Sequence, residues 1–172
     1  MRLFVSIDPP KVVRKELAGW LPDIPGIRKT PTDNIHLTLL FLGDRNREER
    51  KVISESLAGI YFEPFEITVN RTGAFPDKRR PSIIWAGSVK NPELIRLQKD
   101  IRDRLSRFAA GNNRSFKPHF TLAKVSELSA LNEVNIFKKN HAAISFHVTD
   151  FSLKKSTLRP SGAVHSVVKN FS

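Results

Sequence analysis

The sequence predicts an α+β body of two lobes related by a pseudo-twofold axis, with a cleft between them. The tetrapeptide His-x-Thr-Leu occurs twice, as His36-Leu37-Thr38-Leu39 and His119-Phe120-Thr121-Leu122, close to half of the 172-residue chain apart. Strand-like and helix-like segments follow each other in nearly the same order in each half. No stretch between the halves is long or polar enough to be a linker. Residues 1–172 therefore read as one two-lobed domain with approximate repeat halves 1–80 and 81–172.

Residues 2–7 alternate into a strand. Asp8 is placed to cap a helix with Pro9 and Pro10 in its first turn and Val13, Leu17, Trp20 and Leu21 along one apolar stripe. After the turn-rich residues 22–34 comes the first histidine strand, 35–42, closed by Gly43-Asp44, with Asp44 as a helix cap. Residues 47–58 read as a helix with Val52, Ile53 and Leu57 inward, and 65–72 as a strand. The cycle restarts with a strand at 82–87 around Ile83, Ile84 and Trp85. Asn91-Pro92-Glu93 opens a helix carrying Leu94, Leu97, Ile101, Leu105 and Phe108 at helical spacing. The second histidine strand spans 118–125, an irregular helix 128–139, and strands close the chain at 144–154 and 164–171.

Within a strand, side chains alternate between faces, so His and Thr at i and i+2 project together. Leu37 and Leu39, or Phe120 and Leu122, then point into a core. A site on the pseudo-twofold axis receives one His-Thr pair from each half. An imidazole titrates near pH 6.5, so two of them can supply one neutral and one protonated member. That suits in-line phosphoryl transfer with a base on one side and an acid on the other. Thr38 and Thr121 are placed to donate to the charge that develops on the equatorial oxygens. A lone strand histidine is more often structural; the repetition with Thr at the same offset reverses that for His36 and His119. His141 reads as surface and His147 as structural, and His165 stays open.

The chain has no cysteine, which excludes disulfides, thiolate metal sites and cysteine nucleophiles within it. The two motifs offer no third ligand at metal spacing, so no metal and no cofactor is expected. No apolar run reaches the roughly 18 residues of a membrane span, and the expected setting is soluble and cytoplasmic. Net charge is +12, from 29 Lys and Arg against 17 Asp and Glu. Basic residues cluster beside turns at Lys78-Arg79-Arg80, at Arg114 and Lys117, and at Lys154-Lys155 with Arg159. Nucleic acid or nucleotide is the favoured partner.

These residues carry a resemblance. The paired His-x-Thr-Leu motifs, the opening Met-Arg-Leu-Phe-Val-Ser-Ile-Asp and residues 35–43, 81–87, 117–123 and 151–158 resemble the 2H phosphoesterase superfamily. Within it the chain is most similar to the RNA 2′,3′-cyclic phosphodiesterase (2′-5′ RNA ligase) family, over essentially its whole length. The resemblance implies two antiparallel sheets lining a V-shaped cleft with helices outside. It also implies metal-independent hydrolysis of a terminal 2′,3′-cyclic phosphate to a 2′-phosphate, with 2′-5′ ligation as the reverse reaction. By similarity His36 is the proton donor to the departing O3′, His119 the proton acceptor from water, and Thr38 and Thr121 the phosphate binders.

Departures from the family pattern bear on substrate choice. Lys124 stands where Arg is common, and simple alternation puts it on the face opposite His119. Lys154 replaces the Tyr of a Phe-Ser-Leu-Tyr segment, and His165 replaces a Tyr of the last strand. Phe41 and Arg79, with Lys124 and His165, are the remaining candidate substrate contacts. Two alternatives stay open: the same chemistry on a small cyclic nucleotide, a 2′-5′ oligonucleotide or an ADP-ribose cyclic phosphate, and a non-catalytic RNA-binding module. Monomer is expected, because one chain supplies both halves of the site.

Overall fold

A computed structural model of the chain describes residues 1–77, 81–110, 115–126, 141–160 and 162–172. The strands are β1 (Arg2–Ile7), β2 (Ile27–Lys29), β3 (Leu37–Asp44), β4 (Phe65–Phe75), β5 (Ile83–Ser88), β6 (His119–Val125), β7 (Ile144–Val148), β8 (Phe151–Arg159) and β9 (Gly162–Phe171). The helices are α1 (Lys11–Gly19), α2 (Arg47–Ala58) and α3 (Pro92–Arg104). The helix expected at 128–139 lies outside the described residues, as do Arg79 and Arg114.

All described strand pairs are antiparallel, in the order β7-β4-β5-β6-β3-β1-β8-β9, with β2 added to β6. The two lobes are β6-β5-β4-β7 and β3-β1-β8-β9. Among the described residues they meet through a single backbone pair, Leu37 with Phe120, one from each histidine motif. Each half of the chain also lends strands to the opposite lobe: β4 pairs with β5 and β7, and β8 pairs with β1.

The strand expected at 144–154 divides into β7 and β8 at Thr149-Asp150. Those two residues carry the chain from one end of the strand order to the strand next to the other end. Three residue steps span roughly 10 Å at most. The sheet must therefore curl until its ends nearly meet, forming a half-barrel. One face takes the helices: Val13 and Leu17 of α1, Ile53 and Leu57 of α2, and Leu94, Leu97 and Ile101 of α3 pack with Leu3, Val5, Leu37, Leu39, Ile84, Phe120 and Leu122 in one core. The opposite face is left for the site.

Helix ends follow their local chemistry. Asn91 accepts a hydrogen bond from the Leu94 amide with Pro92 next in line, as the sequence predicts. For α2 the cap is Asn46 rather than Asp44: Asn46 accepts from the Glu49 amide while Glu49 accepts from the Asn46 amide, a capping box. Nor does Asp8 cap α1, whose N-cap is Pro10 without a side-chain bond. Its carboxylate is drawn instead to Lys154, 2.7 Å away.

Candidate active site

Both motif strands break alternation at the same place. On β3, Ser6 pairs with Thr38 and Val5 with Leu40, so Leu39 is the extra residue of a β-bulge. On β6, Trp85 pairs with Thr121 and Ile84 with Ala123, so Leu122 is the extra residue. Two successive side chains then face the core in each strand: buried Leu39 beside part-buried Leu40, and buried Leu122 beside buried Ala123. The next residues, Phe41 and Lys124, return to the histidine face, and both are exposed. Lys124 is therefore not opposite His119 as uniform alternation predicts.

The Leu37–Phe120 pair fixes the rest of the geometry. Its antiparallel register sets Thr121 across from His36, and His119 across from Thr38. The histidines occupy one diagonal of a small square and the threonines the other. Each ring is aimed by its own backbone: His36 Nδ1 donates to the Asn34 carbonyl at 2.7 Å, and His119 Nδ1 to the Lys117 carbonyl at 2.7 Å. A carbonyl only accepts, so both neutral rings carry their hydrogen on Nδ1 and present a bare Nε2 to the cleft. Thr38 Oγ1 donates to His36 Nε2 at 3.1 Å.

Aromatic and ionic packing differs between the lobes. Phe4 lies 5.0 Å from His36 and 5.0 Å from His165, and the two imidazoles stand edge-on at 5.2 Å. In the other lobe Phe75 meets His119 edge-on at 5.0 Å and leans on Trp85 at 5.4 Å. Trp85 lies across Gly73 and Gly87, where an added Cβ would come within 2.2 and 2.7 Å of its ring. Where β4 supplies Phe75 opposite Ile83, β8 supplies Lys154 opposite Phe4. Lys154 is buried, with its ammonium on Asp8. Asn34, read from sequence as a turn residue, also donates from its side chain to the Ala163 carbonyl at 2.8 Å, tying β9 to the first motif.

Burial drives protons off all three cleft histidines. His36 falls from 6.5 to about 4, chiefly by desolvation, with Lys154 and His165 adding like charge and the Asn34 carbonyl and Asp8 opposing. His119 is lowered by burial against the support of the Lys117 carbonyl. His165 is lowered by burial, then by Lys154 and Lys124, with Asp8 opposing.

The same architecture recurs among known proteins. The model of the family described as LigT like Phosphoesterase matches residues 7–85 and again residues 88–165. The chain belongs to this family. The RNA 2′,3′-cyclic phosphodiesterase of Archaeoglobus fulgidus is 33% identical over 177 residues, covering 99% of each chain. That of Methanocaldococcus jannaschii is 28% identical over 176 residues, covering 99% of this chain and 100% of its own. Escherichia coli LigT complexed with 3′-AMP superposes with a TM-score of 0.84 at 30% identity, covering 99% of this chain and 96% of that one. TT0787 of Thermus thermophilus gives 0.82 at 27% identity, with 99% and 97% covered.

In this LigT-like phosphoesterase the structure gathers His36, Thr38, His119 and Thr121 on one face, with Phe41, Lys124 and His165 around them. Arg79 lies outside the described residues. His141 is not a bare surface residue: it stacks on Trp20 at 4.0 Å and its Nε2 lies 3.3 Å from Thr72 Oγ1. His147 is exposed on β7. Sequence reasoning missed Asp8 and Asn34 as members of the site. Their partners lie 146 and 129 residues away, beyond any local pattern.

Proposed function

We propose that the chain hydrolyses a 2′,3′-cyclic phosphate at an RNA end to a 2′-phosphate, with His36 and His119 as its acid–base pair. What carries the reading is the crossed His-Thr square around the Leu37–Phe120 pair, in a chain of a phosphoesterase family whose relatives are named for that reaction. A cyclic phosphate held by Thr38 and Thr121 has one histidine on each side. His119 Nε2 takes a proton from water as its oxygen bonds to phosphorus. The bond to O3′ breaks, and protonated His36 gives its proton to the departing oxygen.

With the cleft empty, His36 at about 4 is neutral at pH 7. The phosphodiester anion supplies the negative charge that lets it hold a proton, so charging His36 and binding substrate are one event. Acid and base are both side chains, and the reaction runs without metal. Among the described residues no three His, Asp or Glu side chains are grouped to hold a metal ion, and no helix is long and apolar enough to cross a membrane. One chain completes the site, so a monomer suffices, and the cytoplasm is its setting. Run backwards, the same groups join an RNA 5′-hydroxyl to the cyclic phosphate through a 2′-5′ linkage. The +12 charge favours RNA over a small cyclic nucleotide.

The test offers RNA ending in a 2′,3′-cyclic phosphate in the presence of EDTA and identifies the product. A 2′-phosphate is expected, with kcat/KM reduced by about 10²–10⁴ in His36→Ala and in His119→Ala. A 3′-phosphate product, turnover surviving in either variant, or loss of activity on chelation would refute the scheme.

A further inference from the structure

His165 has no part in the two-histidine scheme, yet it stands 5.2 Å from His36 across a shared Phe4. Its place is fixed from two sides. Ser156 pairs with it across β8 and β9. Asn34, whose carbonyl aims His36, also holds the Ala163 carbonyl two residues away.

Its two nitrogens are in different surroundings. Nδ1 is buried without a hydrogen-bond partner. A stranded N–H is the costlier orphan, so the hydrogen sits on Nε2 and Nδ1 keeps a bare lone pair. Nε2 is not enclosed in this way and is the nitrogen free to meet a ligand. Burial first, then Lys154 and Lys124, oppose a second proton against the pull of Asp8. His165 therefore offers a neutral N–H donor beside His36.

This donor breaks the pseudo-twofold symmetry. The strand corresponding to β9 is β7, which pairs with β4 only over residues 65–69, well short of Phe75. No residue of β7 therefore reaches a place beside His119 equivalent to that of His165 beside His36. The substrate is asymmetric in the same sense. The incoming water on one flank of phosphorus needs only a base, whereas the ribose on the other must be held so that its leaving oxygen meets an acid.

We propose that His165 is a substrate-binding residue whose Nε2–H donates to the terminal ribose on its O3′ side, orienting that sugar so that His36 reaches the leaving oxygen. The proposal rests on the acid–base reading above and names the group that selects a ribose-bearing substrate. It gives this chain a sugar contact through a residue on the last strand.

His165→Phe retains a ring against Phe4 and His36 but has no donor, and His165→Gln restores an N–H near the Nε2 position. The expected result is about a tenfold loss of kcat/KM in His165→Phe, an unchanged thermal midpoint, and recovery of most of the loss in His165→Gln. Calorimetric binding of adenosine 2′-phosphate, a product-like ligand with a free 3′-hydroxyl, should weaken by a similar factor in His165→Phe and recover in His165→Gln. The proposal is overturned if His165→Phe keeps wild-type kcat/KM and affinity, or if Gln is as poor as Phe, which would mark a ring-packing role. If the wild type fails to turn over cyclic phosphate RNA while His165→Phe still weakens adenosine 2′-phosphate, the reaction assignment fails and the ribose contact stands.

Discussion

His36 is pulled in two directions. Its proposed task requires a proton, while burial and the Lys154 ammonium drive that proton off, to about 4. In the free protein few molecules at pH 7 hold a charged His36 beside a neutral His119, so the kcat/KM optimum falls on the acid side of 6.5. Lys154 is the part of this tension that mutation can relieve. Lys154→Met removes like charge and leaves Asp8 to stabilise the imidazolium, so the limb of the pH–rate profile belonging to His36 moves to higher pH. The same change leaves a largely buried carboxylate unpaired and costs stability, about 3 kcal/mol; profiles are therefore compared below the lowered melting point. A limb that stays in place would mean that the ion pair is structural only. The His-Thr pairs were legible because strand alternation is local. The Asp8–Lys154 pair was not, because nothing near Asp8 distinguishes an ion-pair member from a helix cap.

Strands set the aim of these residues, and bulges set the aim of the strands. Leu39 and Leu122 look like ordinary core positions, and they are; their displacement shows only against β1 and β5, which is why Lys124 was assigned to the wrong face. Helix α3 was readable to its first residue, because Asn91 and Pro92 stand side by side, whereas the start of α2 was read with Asp44 as its cap and the Asn46–Glu49 box went unread. Behind His119 the wall is built on an absence of side chain: Trp85 lies on Gly73 and supports Phe75, which supports the imidazole. Gly73→Ala places a methyl 2.2 Å from a rigid indole, so Trp85 must move. The expected outcome is a changed tryptophan emission together with a several-fold loss of kcat/KM at retained fold. Unchanged emission and activity would show that the indole does not brace the site.

At the scale of the whole molecule, strand exchange governs how the chain becomes one object. Repeat halves were visible in the spacing of the two motifs, but not that each half finishes its sheet in the other lobe, since pairing partners leave no periodic trace. Among the described strands of residues 1–80, only β1 and β3 pair with each other; β4 finds both its neighbours, and β2 its one, in the second half. Among those of residues 81–172, β5 pairs with β6 and β8 with β9, and β7 pairs only with β4 of the first half. Cut at residue 80 and produced apart, each piece exposes unpaired strand edges and an open core and is expected to aggregate. Produced together they should reassociate into a soluble 1:1 particle that regains activity, as circular dichroism and size-exclusion chromatography would show; two separately folded soluble halves would contradict the exchange. A single unit of this kind could complete itself only by trading its last strands with a twin, which places one motif from each copy at their contact. The half-barrel is thus a dimer's solution written into one chain, and the tether freed its two sides to diverge, Lys154 and His165 beside one imidazole and Phe75 beside the other.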